Sequence, residues 1–353
     1  MKQIFTILLI LVLIFSCDSK KKSKKNDNLK EIETEVIIKK YTENQLALYK
    51  QYKIGDVRRY GMFPDSAYTH SHPITNTPKI TEILNLAENS DIELFFPKGY
   101  YGVPLILDSR ENIKIRTDKA EFDIIQITAD LNKKNKPKNI KFKGTIISFD
   151  RLGITEATNI KLDSVIIKSD TIKSARKMRA RGCHIYYGSN HISIDYLQIE
   201  DFGSGDERYN TNHAALAIDG WGNQPKNVTI EKVYIKSSDR HGVYITGENH
   251  FIGKIIIDKF GVGNAKDMLA MQDADEEEAK LFAGVWVNRC YNTIINSISI
   301  DNKNSKGFFS ANFDEGDVNK PVAIQFLEVK NFDRTLPIRF AKNTGVIVEN
   351  IIK

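Results

Sequence analysis

The sequence predicts an all-β protein wound as a parallel β-helix, and three observations carry that prediction. First, one phrase recurs between Leu105 and Lys353. The runs Asn159–Ile167, Asn190–Ile199, Asn227–Ile235 and Asn292–Ile300 each open on Asn and continue in β-branched residues. Related openings begin at Asn112, Asn139, Asn249, Asn319 and Asn343. Second, apolar and polar residues alternate within each run, which sends one set of side chains inward and the next outward. Third, the phrase returns at variable intervals of roughly 20–45 residues, bounded by Asn, Gly, Asp or Ser. That spacing marks a solenoid whose coils carry loop insertions. Such a scaffold fixes its outward residues in columns, and a rigid column is a good support for chemistry.

The chain begins with Met1-Lys2, an apolar run from Ile4 to Phe15, and Ser16-Cys17. This is a positive start, a short apolar stretch and a small residue before cysteine. The stretch is too short to span a bilayer comfortably. Leu13 to Cys17 resembles the lipobox of bacterial lipoproteins, with Phe15 an unusual residue for it. That resemblance implies removal of residues 1–16 and lipidation of Cys17. An ordinary secretory signal cut nearby is the alternative, and both readings export the protein. The lipid anchor would hold it on a bacterial membrane, facing the periplasm or at the outer membrane.

Residues 17–54 are read as the lipidated cysteine and a tether. From Asp18 to Asn28 the chain is mostly Lys, Ser, Asp and Asn, which bury nothing. Residues 55–353 are then one β-helix domain, long enough for a large core that need not divide. The net charge is +6, which suits an anionic partner. Export and the lack of any nucleic-acid motif exclude nucleic acid. An anionic polysaccharide remains, and the chain is expected to be a monomer.

Cys183 and Cys290 fall about three coils apart, roughly 14 Å along the axis at about 4.8 Å per coil. A disulfide needs Cα atoms within about 7 Å, so both are expected as free, buried thiols. His70 and His72 share a loop without a third ligand and are read as surface residues. Asp273 to Glu278 reads as a solvated helix. No metal and no cofactor are expected, with calcium as the minor alternative.

Before the repeats, Val57–Met62 reads as a short strand and turn. Ile80–Ala87 reads as an amphipathic helix with Ile80, Ile83, Leu84 and Ala87 on its apolar face. Ile92–Tyr101 reads as a strand closed by a Pro-Lys-Gly turn. This order resembles the N-terminal cap of the pectate-lyase-like superfamily of right-handed β-helices, whose helix covers the open mouth of the first coil. Together with the repeats, the resemblance covers nearly all of 55–353. It implies a right-handed single-stranded parallel β-helix with an N-terminal capping helix. One departure stands out: Pro64–His72 occupies the place where the family often carries an Asp-Gly-x-x-Asp-Asp-Thr segment. The fold hosts many activities, so the resemblance says less about the reaction.

A second strand in each coil aligns after its turn. The rows start at Arg181, His213, His241, Ala283, Lys306 and Leu336. The second position is small or Pro, as a tight corner requires. The third and fifth are read as inward, the fourth and sixth as outward. The outward fourth column then reads His184, Leu216, Tyr244, Trp286, Phe309, Arg339. Arg240 sits beside His241, and Tyr186 is outward in the first row. Aromatic ladders also cap sheets and corner histidines also cap turns. Yet His, Tyr, Arg and Lys on one face, without a clear carboxylate pair, suit β-elimination on a uronate sugar. Arg neutralises the sugar carboxylate, a base takes the C5 proton and an acid protonates the leaving oxygen. His241 is the expected base and Tyr244 the acid, with Arg240 and Arg181 on the carboxylate. His213 is able to exchange roles with His241. His184, Tyr186, Trp286, Lys306 and Arg339 are expected to bind substrate.

If the leaving group is a neighbouring sugar, the protein is a polysaccharide lyase. If it is a hydroxyl at a chain end, the protein is an oligosaccharide dehydratase. Exported β-helices of this kind are similar to components of bacterial polysaccharide-degradation systems. Two rivals stand beside this reading. One is a glycoside hydrolase using Asp219, Asp239 or Asp206, and the other is a glycan-binding surface protein without catalysis.

Overall fold

The structure is a computed structural model that describes residues 40–67, 69–130, 135–169, 180–200, 214–262 and 282–353. Cys17, the leader and all of the tether up to residue 39 lie outside the described residues. So do His213, Asp206 and the acidic run 273–278. Residues Tyr41–Lys353 form one compact unit. Among the described residues, no helix is long and apolar enough to cross a membrane.

The described residues open with a single helical turn, α1 (Glu43–Leu46), and a 3-10 turn at Val57–Tyr60. A longer helix follows, α2 (Lys79–Ser90), which buries Ile83, Leu84, Leu86 and Ala87. Short strands come next: β1 (Leu94–Phe96), β2 (Gly99–Tyr100) and β3 (Leu105–Ile106). Long and short strands then alternate through β4 (Lys114–Phe122), β5 (Ile125–Thr128), β6 (Lys138–Ser148), β7 (Arg151–Thr155) and β8 (Thr158–Ile167). The alternation continues with β9 (Gly182–Tyr186), β10 (Asn190–Ile199), β11 (Ala214–Asp219), β12 (Lys226–Ile235), β13 (His241–Glu248) and β14 (Phe251–Ile257). It ends with β15 (Ala283–Tyr291), β16 (Thr293–Asp301), β17 (Phe309–Phe313), β18 (Val322–Lys330), β19 (Ile338–Phe340) and β20 (Val346–Ile352).

All strand pairings are parallel; β1 pairs with β4, and from β2 each strand pairs with the strand two places on. From β4 the even-numbered strands form one ladder, and from β3 the odd-numbered strands form another. The chain therefore lays down one strand of each ladder per pass and returns one rung further on. This is an all-β protein with parallel pairing throughout, as the repeats require.

Aliphatic columns hold the ladders together. One runs Phe142, Leu162, Ile194, Ile230, Ile252, Ile295 and Ile324, each the Cα partner of the next. All are buried to within one or two per cent. Burying each such side chain contributes about 1.5–3 kcal/mol. The alternation breaks once per long strand: Asp195-Tyr196, Glu231-Lys232 and Asn296-Ser297 are consecutive residues left unburied between buried neighbours. Two successive outward residues reset the inward–outward phase within the strand.

The Asn openings have a conformational cause. Asn112, Asn139, Asn159, Asn227, Asn249 and Asn292 all have φ between 47° and 59°. Asn tolerates this left-handed region better than other non-glycine residues. The side chains also stack: Asn139 Nδ2 donates to Asn112 Oδ1 at 2.9 Å and Asn159 Nδ2 to Asn139 Oδ1 at 2.7 Å. In the fourth pass the left-handed residue is His191 (φ 54°), not Asn190. Asn190 instead accepts from Asn227 Nδ2 at 2.8 Å.

Candidate functional site

The odd ladder carries the residues expected to do chemistry, but in a different register. On β9, β11, β13 and β15 one outward column reads His184, Ala217, Tyr244, Trp286. It continues through Asn312 to Arg339. Leu216 pairs with Cys183 and Val243 in the core, so Ala217 takes the outward place expected for Leu216. Phe309 pairs with Ala283, and Asn312 stands opposite Trp286. The partner of His241 on β11 is Ala214, the residue after His213. Aligning the rows by their small corner residues misplaces them because the number of residues spent at the corner varies. The burial of Leu216 and Ala311 fixes the true register. Cys183 and Cys290 are free and buried.

A second apolar cluster sits on this outward face, separate from the core. It comprises Ala214, Ala217 and Tyr244, with Tyr186 and Trp286 packed against it. The alanines matter by what they omit. They form a low row between β9, which carries His184 and Tyr186, and β13, which carries His241 and Tyr244. Those flanking strands stand two rungs apart, roughly 10 Å.

His241 is buried, and the backbone N–H of Ala283 donates to its Nδ1 at 3.0 Å. A backbone amide only donates, so the proton of neutral His241 resides on Nε2. Its ring lies 5.1 Å from Trp286 and 5.3 Å, edge-on, from Phe282. Tyr244 meets Trp286 at 4.7 Å between ring centres. Asn288 Nδ2 donates to the Tyr244 hydroxyl at 3.4 Å. Burial, with the charge of Asp219 behind it, pushes the Tyr244 phenol up to about 12. Two buried polar atoms of this group, Trp286 Nε1 and Asn288 Oδ1, meet no hydrogen-bond partner among the described residues. Buried polar atoms are nearly always satisfied, so such a pair calls for an explanation.

On the other side of the alanine row, His184 stacks on Tyr186 at 5.1 Å with the rings 10° from parallel. Burial, reinforced by Arg151 and Arg181, pulls the His184 imidazole down to about 3, while a hydrogen bond to the Arg181 carbonyl partly offsets this. His184 is therefore neutral near pH 7 and keeps a lone pair on one nitrogen. Burial pushes the Tyr186 phenol up, and the nearby Asp219 adds to this. Burial also raises Asp219, against hydrogen bonds from the Gly220 amide at 2.7 Å and the Thr246 hydroxyl at 3.2 Å.

The structure thus brings together His184, Tyr186, His241, Tyr244 and Trp286. Arg240 is buried beside His241, with its guanidinium 6.0 Å from the Phe282 ring centre. Arg181 is engaged in an ion pair with the buried Asp150. Arg339 stands two rungs beyond Trp286, bonded to Asn312 at 2.7 Å and paired with Asp314 at 3.3 Å. Lys306 is exposed at the turn before β17. Sequence reasoning placed Asn288 outward, sixth in its row, without naming it as a site residue. It missed Tyr187 and Trp221 at the turns beside Tyr186. Comparison with protein-family models, with curated proteins and with solved structures gave no match.

Proposed function

We propose that this chain is a right-handed parallel β-helix acting as a carbon–oxygen lyase on an anionic, uronate-containing glycan. The alternation of ladders supports the winding. Ile83, Leu84, Leu86 and Ala87 of α2 belong to the same buried cluster as the first strands, which supports the cap. On this reading residues 1–16 are a leader and Cys17 carries the lipid of an exported, membrane-anchored protein.

One observation carries the reaction. Donor and acceptor groups gather around the alanine row while Trp286 Nε1 and Asn288 Oδ1 lack a partner among the described residues. Trp286 Nε1 is a donor and Asn288 Oδ1 an acceptor, a pair complementary to a sugar hydroxyl. From the tautomers we infer the roles. His241, with its proton on Nε2, is a donor in its resting state, so the base is better placed on His184. His184 takes the C5 proton, the C4–C5 double bond forms and the C4–O4 bond breaks. Tyr244 supplies the proton to the departing oxygen. Arg240 offsets the sugar carboxylate, and His241 donates to the charge that develops during proton removal. A sugar leaving group makes the protein a lyase; a terminal hydroxyl makes it a dehydratase that releases water.

The test is incubation with a panel of uronate glycans. The ultraviolet absorbance of the conjugated double bond and the product masses are recorded, with and without a calcium chelator. New reducing ends without that absorbance would replace elimination by hydrolysis. Asp219, a buried carboxyl on the same outward face, is the group that supports that second reading. Binding without any product would leave a glycan-binding protein.

A further inference from the structure

The turns after β9 and β11 each present an aromatic residue in the left-handed region. Tyr187 has φ 35° and Trp221 has φ 39°. For a bulky side chain that region is a true outlier. Such strain persists only where the surroundings impose it, and it gathers at functional sites. Burial in the core does not account for it here, because Trp221 is 49% exposed and Tyr187 38% exposed. Their ring centres lie 5.3 Å apart, and each ring also meets Tyr186, at 6.2 Å from Tyr187 and 5.6 Å from Trp221. The turns are laced together: the Tyr187 amide donates to the Asp219 carbonyl at 3.2 Å and the Gly188 amide to the Asn223 carbonyl at 2.6 Å.

We propose that Tyr187 and Trp221 form a stacking subsite for a second pyranose ring of the glycan, next to the ring that reacts. The inference rests on the functional reading above. Exposed aromatic faces on rigid turns suit the apolar C–H face of a sugar, with wet edges left for its hydroxyls. The platform joins the reaction site through Tyr186, whose ring stacks on His184. The Asn223 side chain lies against Gly188, where an added Cβ would meet its Nδ2 at 2.7 Å. It offers an amide at the platform edge.

The experiment measures binding by calorimetry in the Tyr244→Phe variant, which separates binding from turnover. Alginate and pectate oligomers of two to six sugars serve as probes. Trp221→Ala should weaken binding of the longest oligomers about tenfold, equal to about 1.4 kcal/mol, and barely affect dimers. Trp221→Phe should retain most of the affinity. Trp221→Gly should lose affinity while matching or exceeding the parent Tm, because glycine relieves the strain. Equal losses at every length, Trp221→Phe falling as far as Trp221→Ala, a lowered Tm in Trp221→Gly, or no binding to any oligomer would each overturn the proposal. Trp221-dependent binding in a protein that makes no unsaturated product would sink the elimination and keep the subsite. Turnover with a KM unchanged by Trp221→Ala would do the reverse.

Discussion

The two ladders share one backbone plan and differ in what they present to the outside. On the even ladder the outward residues are solvated: Lys141, Lys161, Glu231, Lys232 and Lys254 are all exposed. On the odd ladder, between β9 and β15, the outward residues His184, Ala217, Asp219, His241 and Tyr244 are buried. Burial on the outer side leads the shifts at His184 and Tyr244, whereas the raised phenol of Tyr234 on the even ladder owes most to its hydrogen bond with Asp258. The scaffold is the same; desolvation separates a wall from a reaction site.

The sharpest way to break this contrast is to remove functional groups on the odd face. Tyr244→Phe and His184→Ala should each lower kcat/KM on the cleaved glycan by at least ~10³, on the scale of a lost acid or base. Thermal unfolding should show both variants folded. Retained turnover in both would remove the site from this face.

A second pair of variants tests the register that defines the two sides. Leu216→Ala should destabilise by about 2–5 kcal/mol in chemical denaturation, since it opens a cavity in the core. Ala217→Leu, one residue on, should cost about 1–3 kcal/mol by overpacking and should block glycan binding. Similar stability and binding effects from the two changes would mean that the outward column is misassigned.

The third prediction concerns pH. Folded His184 and His250 sit at about 3 and about 4, below the ordinary imidazole value, and burial is the leading cause for both. In that window the unfolded chain binds more protons than the folded one, so stability rises with pH. It is fully present above about 6.5 and declines as pH falls towards 4, by on the order of 3 kcal/mol for each histidine. Denaturation between pH 7 and 4 should show this slope, and His184→Asn should flatten part of it. The smallest effect belongs to the even face. Lys161→Gln or Lys232→Gln should change stability by no more than about 0.5 kcal/mol and leave turnover intact.

Much of the architecture was legible in the sequence, and the reason is local. The aliphatic columns follow from alternation within single strands, and the Asn corners follow from a conformational preference of one residue type. The site was harder to read. Tyr244, Trp286 and His184 were found in one column, because each lies on a strand with clear inward neighbours. The rows between them slipped, placing Leu216 and Phe309 where Ala217 and Asn312 stand. The Arg181–Asp150 pair was invisible because it joins neighbouring passes. The His241 tautomer depends on the Ala283 amide, a partner no periodicity announces. Tyr187 and Trp221 lie in turns, where an aromatic residue carries no periodic signal.

The left-handed asparagines have a consequence for how such a molecule tolerates change. About twice as many residues separate Asn249 from Asn292 as separate Asn139 from Asn159, yet β14 and β16 still pair without a slip. The laps at Asn249 and Asn292 restart from the same left-handed pivot, so the longer excursion between them leaves the next lap in phase. Length can be added beside the chemistry without retuning it.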